Sequence, residues 1–318
     1  MLCALSIGPA LPPMNPTDAD VAVVTGTTHG IGMVTARELA RAGRHVVMLV
    51  RDARAGERVA GDISRSVPDR RPDVIHCDLA SLDSVRTAAA QVCQRYPRLH
   101  LLVNNAGAVS MSHRLSADGF ELTFATNHLG PFLLTALLGK CLVPGARIVN
   151  VASRIHRRGR MDLDSVPDPR ATYRSRDAYA RSKLANVMHT FALARRLEGG
   201  SVTANCLHPG VISSHLLPRW LRLVKPLISP GMIDCEQGAR TSLHLALSPD
   251  VAGTNGRYFD EHQVEQAASA AANDVEMQEL LWRRSEEWVE HPGWHVSECS
   301  DAPGSPPVPA QGRSDERT

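Results

Sequence analysis

The chain has 318 residues, enough for one large α/β domain or two small ones, and 43% of them are hydrophobic, ample for a core. Its 35 basic and 33 acidic side chains leave a formal charge of +2, so no global field points to nucleic acid or an anionic membrane as a partner. Seven cysteines, an odd number without a C-x-x-C pair, argue against a disulfide framework or a zinc site and suit reduced thiols, so a cytoplasmic protein is expected. Residues 1–19 carry MLCALSIGPALPPMNP, which lacks a basic start and is broken by prolines; a disordered leader is expected there. No apolar run reaches the roughly 18–20 residues of a membrane helix, so no integral membrane segment is expected.

From residue 21 a short apolar run is repeatedly followed by an amphipathic stretch of helical period. VAVVTG precedes a predicted helix over 31–42, HVVMLV precedes one over 53–65, and a third helix over 82–96 leads into LLVNNAG. The runs VAVV, HVVMLV, HLLV and ARIVNV are almost continuously apolar, as strands buried on both faces must be. Helices over 177–197 and 235–247 flank SVTANCLHPG, and NGRYFDE closes the pattern, so these two runs are the last strands. Strand–helix alternation of this kind predicts a single α/β domain over 20–295, a doubly wound parallel sheet of the Rossmann type. Residues 296–318, rich in Pro, Ser, Gly and charge, predict a disordered tail.

TGTTHGIG follows the first strand and opens the first helix, so Gly26, Thr28, His29, Gly30, Ile31 and Gly32 are candidates to hold a pyrophosphate. Glycines allow the sharp turn and the close approach, and the helix N-terminus offers N–H groups and the positive end of its dipole. Arg51 follows the second strand where an acidic residue would ordinarily hold ribose hydroxyls, which favours the 2′-phosphate of NADP over NAD. Asp78, after VIHC, is placed to accept from the adenine amino group. Asn105, Ala106 and Gly107 end the fourth strand with small residues suited to close approach.

YARSK, at 179–183, lies in a predicted helix, so Tyr179 and Lys183 are i and i+4 and share a face. A tyrosine of pKa near 10 is a poor base at neutral pH, and a neighbouring ammonium would favour its phenolate. Ser153 ends the strand ARIVNVAS, at the edge where open α/β sheets bind ligands. Asn127, in TFATNHLGPF, is a buried amide in an apolar helix and needs partners there.

TGTTHGIG, CDLA, LVNNAG, TNHLG, IVNVAS, YARSK and HPG stand in the order and approximate spacing of the short-chain dehydrogenases, and the resemblance covers about residues 20–290. The variants LTFATNHLGPFLLT, YARSKLAN, HPGVISS and GRYF are most similar to the retinol dehydrogenase and WW-domain oxidoreductase-like group. The resemblance implies that Ser153, Tyr179 and Lys183 form a catalytic triad and that Asn127 completes it through a water-linked proton relay. It also implies that Lys183 and Tyr179 contact the nicotinamide ribose, and that Asp78, Leu79, Pro209, Gly210, Val211 and Ser214 line the cofactor. A homodimer or homotetramer formed through the tyrosine-bearing helix and its neighbour is the partnership this family implies, although a long tail after the last helix would obstruct it.

Residues 213–235 carry Leu216, Leu217, Trp220, Leu221, Leu223, Val224, Leu227 and Ile228, a pattern expected of a lid over a small lipophilic substrate. The expected reaction is hydride transfer between NAD(P) and a lipophilic ketone, aldehyde or secondary alcohol. The Ala- and Arg-rich composition is associated with high-GC bacteria, where such enzymes tailor secondary metabolites as ketoreductases. Two alternatives share the fold: a non-catalytic cofactor-binding regulator, which would lack Tyr or Lys, and a double-bond reductase, which only its substrate distinguishes.

Overall fold

A computed structural model describes residues 20–164, 173–210 and 233–291. Seven parallel strands form one sheet: β1 (Val21–Thr25), β2 (His45–Val50), β3 (Asp73–His76), β4 (Leu99–Asn104), β5 (Leu142–Val151), β6 (Thr203–Leu207) and β7 (Tyr258–Phe259), in the order β3-β2-β1-β4-β5-β6-β7. This is the single-domain doubly wound architecture expected from the alternation of strands and helices. Successive residues of a strand face opposite sides, and both sides are covered. Val21, Val23, Val47 and Leu49 point to one core; Ala22, Val24, Val46, Met48 and Val50 point to the other.

Helices α1 (Gly30–Arg41) and α2 (Ala53–Ser66) and the later α6 (Cys235–Leu247) cover the second face. The first is covered by α3 (Leu82–Arg95), by α4, which begins with Leu122–Phe124 and ends with Gly130–Leu138, and by α5 (Ser175–Arg196) and α7 (Val275–Trp288). α4 is a continuous run of three segments, Leu122–Phe124, a π turn over Ala125–Leu129, and Gly130–Leu138. Side-chain oxygens of Asp52, Ser81, Asp234 and Asp274 cap α2, α3, α6 and α7 by accepting from backbone N–H groups. α1 has no such side-chain cap on its first turn.

Three features depart from the pattern in the sequence. β5 begins at Leu142, earlier than ARIVNV suggested, through a shift in register against β4 between Leu99 and Leu101. The last strand is a two-residue pairing, because the chain turns back after Phe259 and Gln266 N–H donates to the Tyr258 carbonyl. α7, unmarked by the alternating pattern, lies across α4 and α5: Trp282 stacks on His189 with ring centroids 5.4 Å apart, and Ser285 bonds His128 at 2.8 Å. Among the described residues no helix is long and apolar enough to cross a membrane. The expected leader and tail, and most of the expected lid, lie outside the described residues.

Candidate active site

The strand order reverses between β1 and β4, and the crevice beyond their C-terminal ends is the place where such sheets bind ligands. Along that edge lie Gly26 after β1, Arg51 after β2, Asp78 and Leu79 after β3, Asn105 to Gly107 after β4, Ser153 after β5, and Pro209 and Gly210 after β6. The topology thus gathers residues scattered over most of the chain. Val211 and Ser214 lie outside the described residues.

The ends of β1 and β4 are bolted together by side chains. Thr25 Oγ1 accepts from the backbone N–H groups of Asn105 and Ala106, both at 3.0 Å, and Asn105 Nδ2 donates to the carbonyls of Thr25 at 2.8 Å and Gly26 at 3.2 Å. Asn105 therefore shapes the turn rather than standing free at its surface. Gly26 has φ +71°, and a Cβ there would lie 2.8 Å from Ala106 Cα. Gly32 has no room either, since a Cβ would lie 2.3 Å from the Gly26 carbonyl. Gly30 differs: its φ of +64° demands glycine, but the space beside it is open. Thr27 is fully buried in the turn, and its hydroxyl has no hydrogen-bond partner among the described residues. The tight glycine turn, the uncapped start of α1 and this orphaned hydroxyl fit a bound pyrophosphate.

At the end of β2 Arg51 is exposed, and the carboxylate of Asp52 is engaged as the α2 cap, accepting from Ala55 N–H at 3.0 Å. Asp78 is half-buried; one of its carboxylate oxygens accepts from Ala80 N–H at 3.0 Å. Leu79 packs its carbonyl against Gly130, where a Cβ would come within 2.3 Å.

On the other side of the crevice, α5 presents Tyr179 and Lys183. Lys183 is 3% exposed, its Nζ donates to the Val151 carbonyl at 2.8 Å, and the nitrogen lies 5.9 Å from the centre of the Tyr179 ring. Burial alone pushes the Lys183 ammonium down to about 8 from its ordinary 10.5. Tyr179 is half-buried; burial raises its phenol above the ordinary value, opposed by the neighbouring Ser153 hydroxyl, which favours the phenolate. In the protein alone the low polarity around the ring sets the direction of the shift, and the expected stabilisation of the phenolate by the ammonium is not among its causes.

Ser153 caps a 3₁₀ turn, Arg154–Arg158, its Oγ accepting from Ile155 N–H at 3.4 Å, and the hydroxyl proton is not used in that bond. Asn127 is fully buried in the π turn. Its Oδ1 accepts from Ala108 N–H at 2.7 Å, and Nδ2 donates to the Ala108 carbonyl and to Ser182 Oγ, both at 2.9 Å. The side chain therefore fixes the loop after β4. A Cβ at Gly107 would lie 3.4 Å from Lys183 Nζ and 3.8 Å from Asn127 Oδ1, so these three residues converge.

Two contributors escaped the sequence pattern. Ser182 links Asn127 to α5 by accepting from its amide and donating to the Tyr179 carbonyl at 2.9 Å. Gly159 lets the turn after Ser153 lie on α5, since a Cβ would meet the Ala180 carbonyl at 2.7 Å. A small polar residue inside the Y-x-x-x-K interval and a glycine ending a basic run were the only local signals. Pro209 and Gly210 form the turn after β6; Gly210 has φ +84°, and its N–H donates to His208 Nδ1 at 3.0 Å.

A parallel sheet with a glycine turn after its first strand, and a serine–tyrosine pair beside a buried lysine, defines an oxidoreductase class. The short chain dehydrogenase family model matches residues 20–222, and the chain belongs to that family. Within it the similarity runs to the retinol dehydrogenases. The chain is 38% identical over 294 residues to Retinol dehydrogenase 14 of Mus musculus, covering 87% of this chain and 84% of that protein. It is 38% identical over 296 residues to Retinol dehydrogenase 13 of Homo sapiens, covering 87% of each. Among solved structures, an uncharacterized protein from Mycobacterium Paratuberculosis is 34% identical with a TM-score of 0.71, covering 88% of this chain and 98% of that one. The blue fluorescent protein from a metagenomic library, solved in complex with NADPH, is 29% identical with a TM-score of 0.61, covering 77% and 97%.

Proposed function

We propose that the chain interconverts a lipophilic ketone or aldehyde and the corresponding alcohol, with NADP preferred over NAD, through Ser153, Tyr179 and Lys183. The observation that carries this reading is the convergence on one crevice of Lys183, buried without a carboxylate partner among the described residues, the Tyr179 ring 5.9 Å from its Nζ, and the Ser153 hydroxyl, which favours the phenolate. When bound, the nicotinamide gives or takes the hydride at the carbonyl carbon. Tyr179 donates a proton to the substrate oxygen in reduction and removes it in oxidation. With substrate bound, the Ser153 hydroxyl turns its one proton to the same oxygen and orients it. Lys183 would hold the ribose hydroxyls and supplies positive charge behind the phenol, and Asn127 keeps the loop after β4 against it.

Gly26, Thr28, His29, Gly30, Ile31 and Gly32 would hold the pyrophosphate, Asp78 and Leu79 the adenine side, and Asn105 to Gly107, Pro209 and Gly210 the nicotinamide side. Arg51 would meet a 2′-phosphate, a reading supported by the engagement of Asp52 in capping and by the NADPH complex of the fluorescent relative. The names of the retinol dehydrogenases support a lipophilic substrate. The residues 213–235 proposed as its lid lie mostly outside those described. The free thiols among the described cysteines suit a cytoplasmic location. Pairing through α4 and α5 would meet α7, which already packs on both, so the homodimer or homotetramer is proposed not to form by that face.

The test is a panel of retinaldehyde, apolar ketones and the matching alcohols, assayed with NADPH and NADH and with their oxidised forms. Turnover with an apolar carbonyl and NADPH is expected. No turnover with any pair, by a protein that binds NADPH, would leave the regulatory alternative; reduction of a carbon–carbon double bond would favour the third reading.

A further inference from the structure

Ser153 sits at the start of a short turn that carries a buried imidazole, His156. His156 is 0% exposed, although a histidine five residues beyond the end of β5 is free to face solvent. Its Nδ1 lies 2.8 Å from the Ser153 carbonyl oxygen, which also accepts the His156 backbone N–H at 3.0 Å. On its far side, Nε2 lies 3.3 Å from the backbone nitrogen of Ser269. An amide N–H can only donate, so Nε2 is the acceptor and Nδ1 carries the proton given to Ser153. Burial pushes the ring below the ordinary value of 6.5; the bond to the Ser153 carbonyl opposes this, Arg157 and His208 reinforce it, and the net direction favours the neutral ring that this pattern requires.

The contacts around the ring make it a brace between segments. It packs edge-on against Tyr258 with centroids 4.9 Å apart, and the neighbouring Arg157 guanidinium donates to the Ala267 carbonyl. The segment after β7 is thereby fastened to the serine turn at two successive points. The same segment reaches the turn after β6, where Glu261 pairs with His208 at 2.5 Å. For the serine carbonyl, the backbone N–H alone would satisfy the turn. The second donor fixes the orientation of the peptide that carries the Ser153 side chain toward Tyr179.

We infer that His156 is a positioning residue for the reaction: a neutral imidazole that clamps the Ser153 backbone to the segment after β7 and so holds the serine hydroxyl on Tyr179. This rests on the reading of Ser153 as the partner of Tyr179. Misplacing a reacting group by about 1 Å costs on the order of 100-fold in rate, so the clamp acts on turnover more than on binding.

Three substitutions separate the two ends of the ring. His156→Asn keeps a donor where Nδ1 stands, His156→Gln keeps a polar atom where Nε2 stands, and His156→Phe keeps only the packing. Each is assayed for kcat, for KM of an apolar carbonyl that the enzyme turns over, for NADPH affinity by fluorescence, and for Tm. The Asn variant is expected within about 3-fold of wild-type kcat, and the Gln and Phe variants about 10- to 100-fold lower with NADPH affinity unchanged. Folded Gln and Phe variants with wild-type kcat overturn the inference, as does an Asn variant that falls as far as Phe. Ser153→Ala separates this from the reading beneath it: full turnover by that variant overturns the role of Ser153, whereas its inactivity beside a fully active Phe variant overturns only the clamp. Independently of substrate, nitrogen-15 labelling of the histidine rings, with the His156 signals assigned by their loss in the Asn variant, is expected to show an Nδ1–H tautomer at pH 7. An Nε2–H tautomer or a charged ring contradicts the inference.

Discussion

Replacing Lys183 with methionine should abolish turnover and make the protein more stable. The side chain is a cation buried to 3% exposure, with burial as the sole cause of its depressed pKa and the Val151 carbonyl as its hydrogen-bond acceptor. A fall from 10.5 to about 8 means that the folded protein at neutral pH bears roughly 3 kcal/mol of unfavourable charge burial, at about 1.4 kcal/mol for each pH unit. Methionine fills a similar volume without the charge. It also removes the donor to Val151, a loss of about 1–2 kcal/mol. The net gain is about 1–2 kcal/mol, which corresponds to a rise of roughly 3–6 °C in Tm for a domain of this size. The pH dependence fixes the cause. Below pH 8 both folded and unfolded lysines are protonated and the penalty is constant. Between about 8 and 10.5 the folded lysine has released its proton and the unfolded one has not, so wild-type stability rises with pH and the variant's advantage shrinks. Thermal melts of wild type and Lys183→Met at pH 7 and pH 10 measure this directly. A variant that melts lower than wild type at pH 7, or an advantage of the same size at both pH values, refutes the reasoning.

Tyr179→Phe should keep fold and NADPH binding while kcat falls about 10²- to 10⁴-fold, the ordinary contribution of a positioned proton donor; undiminished turnover would remove Tyr179 from the mechanism. Arg51→Ala should raise the KM for NADPH about 10- to 100-fold and leave that for NADH unchanged, as the loss of charge-assisted bonds to a phosphate predicts; equal effects on both would take the 2′-phosphate from Arg51. Gly26→Ala meets Ala106 at 2.8 Å from a positive φ and should cost about 2–4 kcal/mol, whereas Gly30→Ala meets open space and should cost about 1–2 kcal/mol, an order that denaturant titration can check. Trp282→Ala, at a ring 4% exposed beneath the Arg196 guanidinium, should lose about 3–5 kcal/mol in the same titration with little change in the kinetics of the folded enzyme.

The order of elements was legible because its physics is local. A strand buried on both faces must be apolar throughout, and a helix over a sheet must be apolar on one stripe, so HVVMLV and the stretch that follows it announce themselves. Gly26 and Gly30 were legible because a positive φ leaves few alternatives to glycine. The spacing of Tyr179 and Lys183 placed them on one helix face without further information.

The sequence by itself determined the parallel α/β fold, the glycine turn and the residue types able to move a proton. Only the tertiary structure decided how they meet, because each meeting joins residues far apart in the chain. Ser153 reaches Tyr179 because Gly159 lets its turn lie on α5, and Asn127 is drawn into bonds with Ala108 and Ser182 that nothing in TFATNHLGPF announces. The lysine reads in sequence as a charge beside a tyrosine. In the fold it is a desolvated cation whose pKa lies near 8, since the sheet, α4 and α5 together exclude the water that would have held it at 10.5.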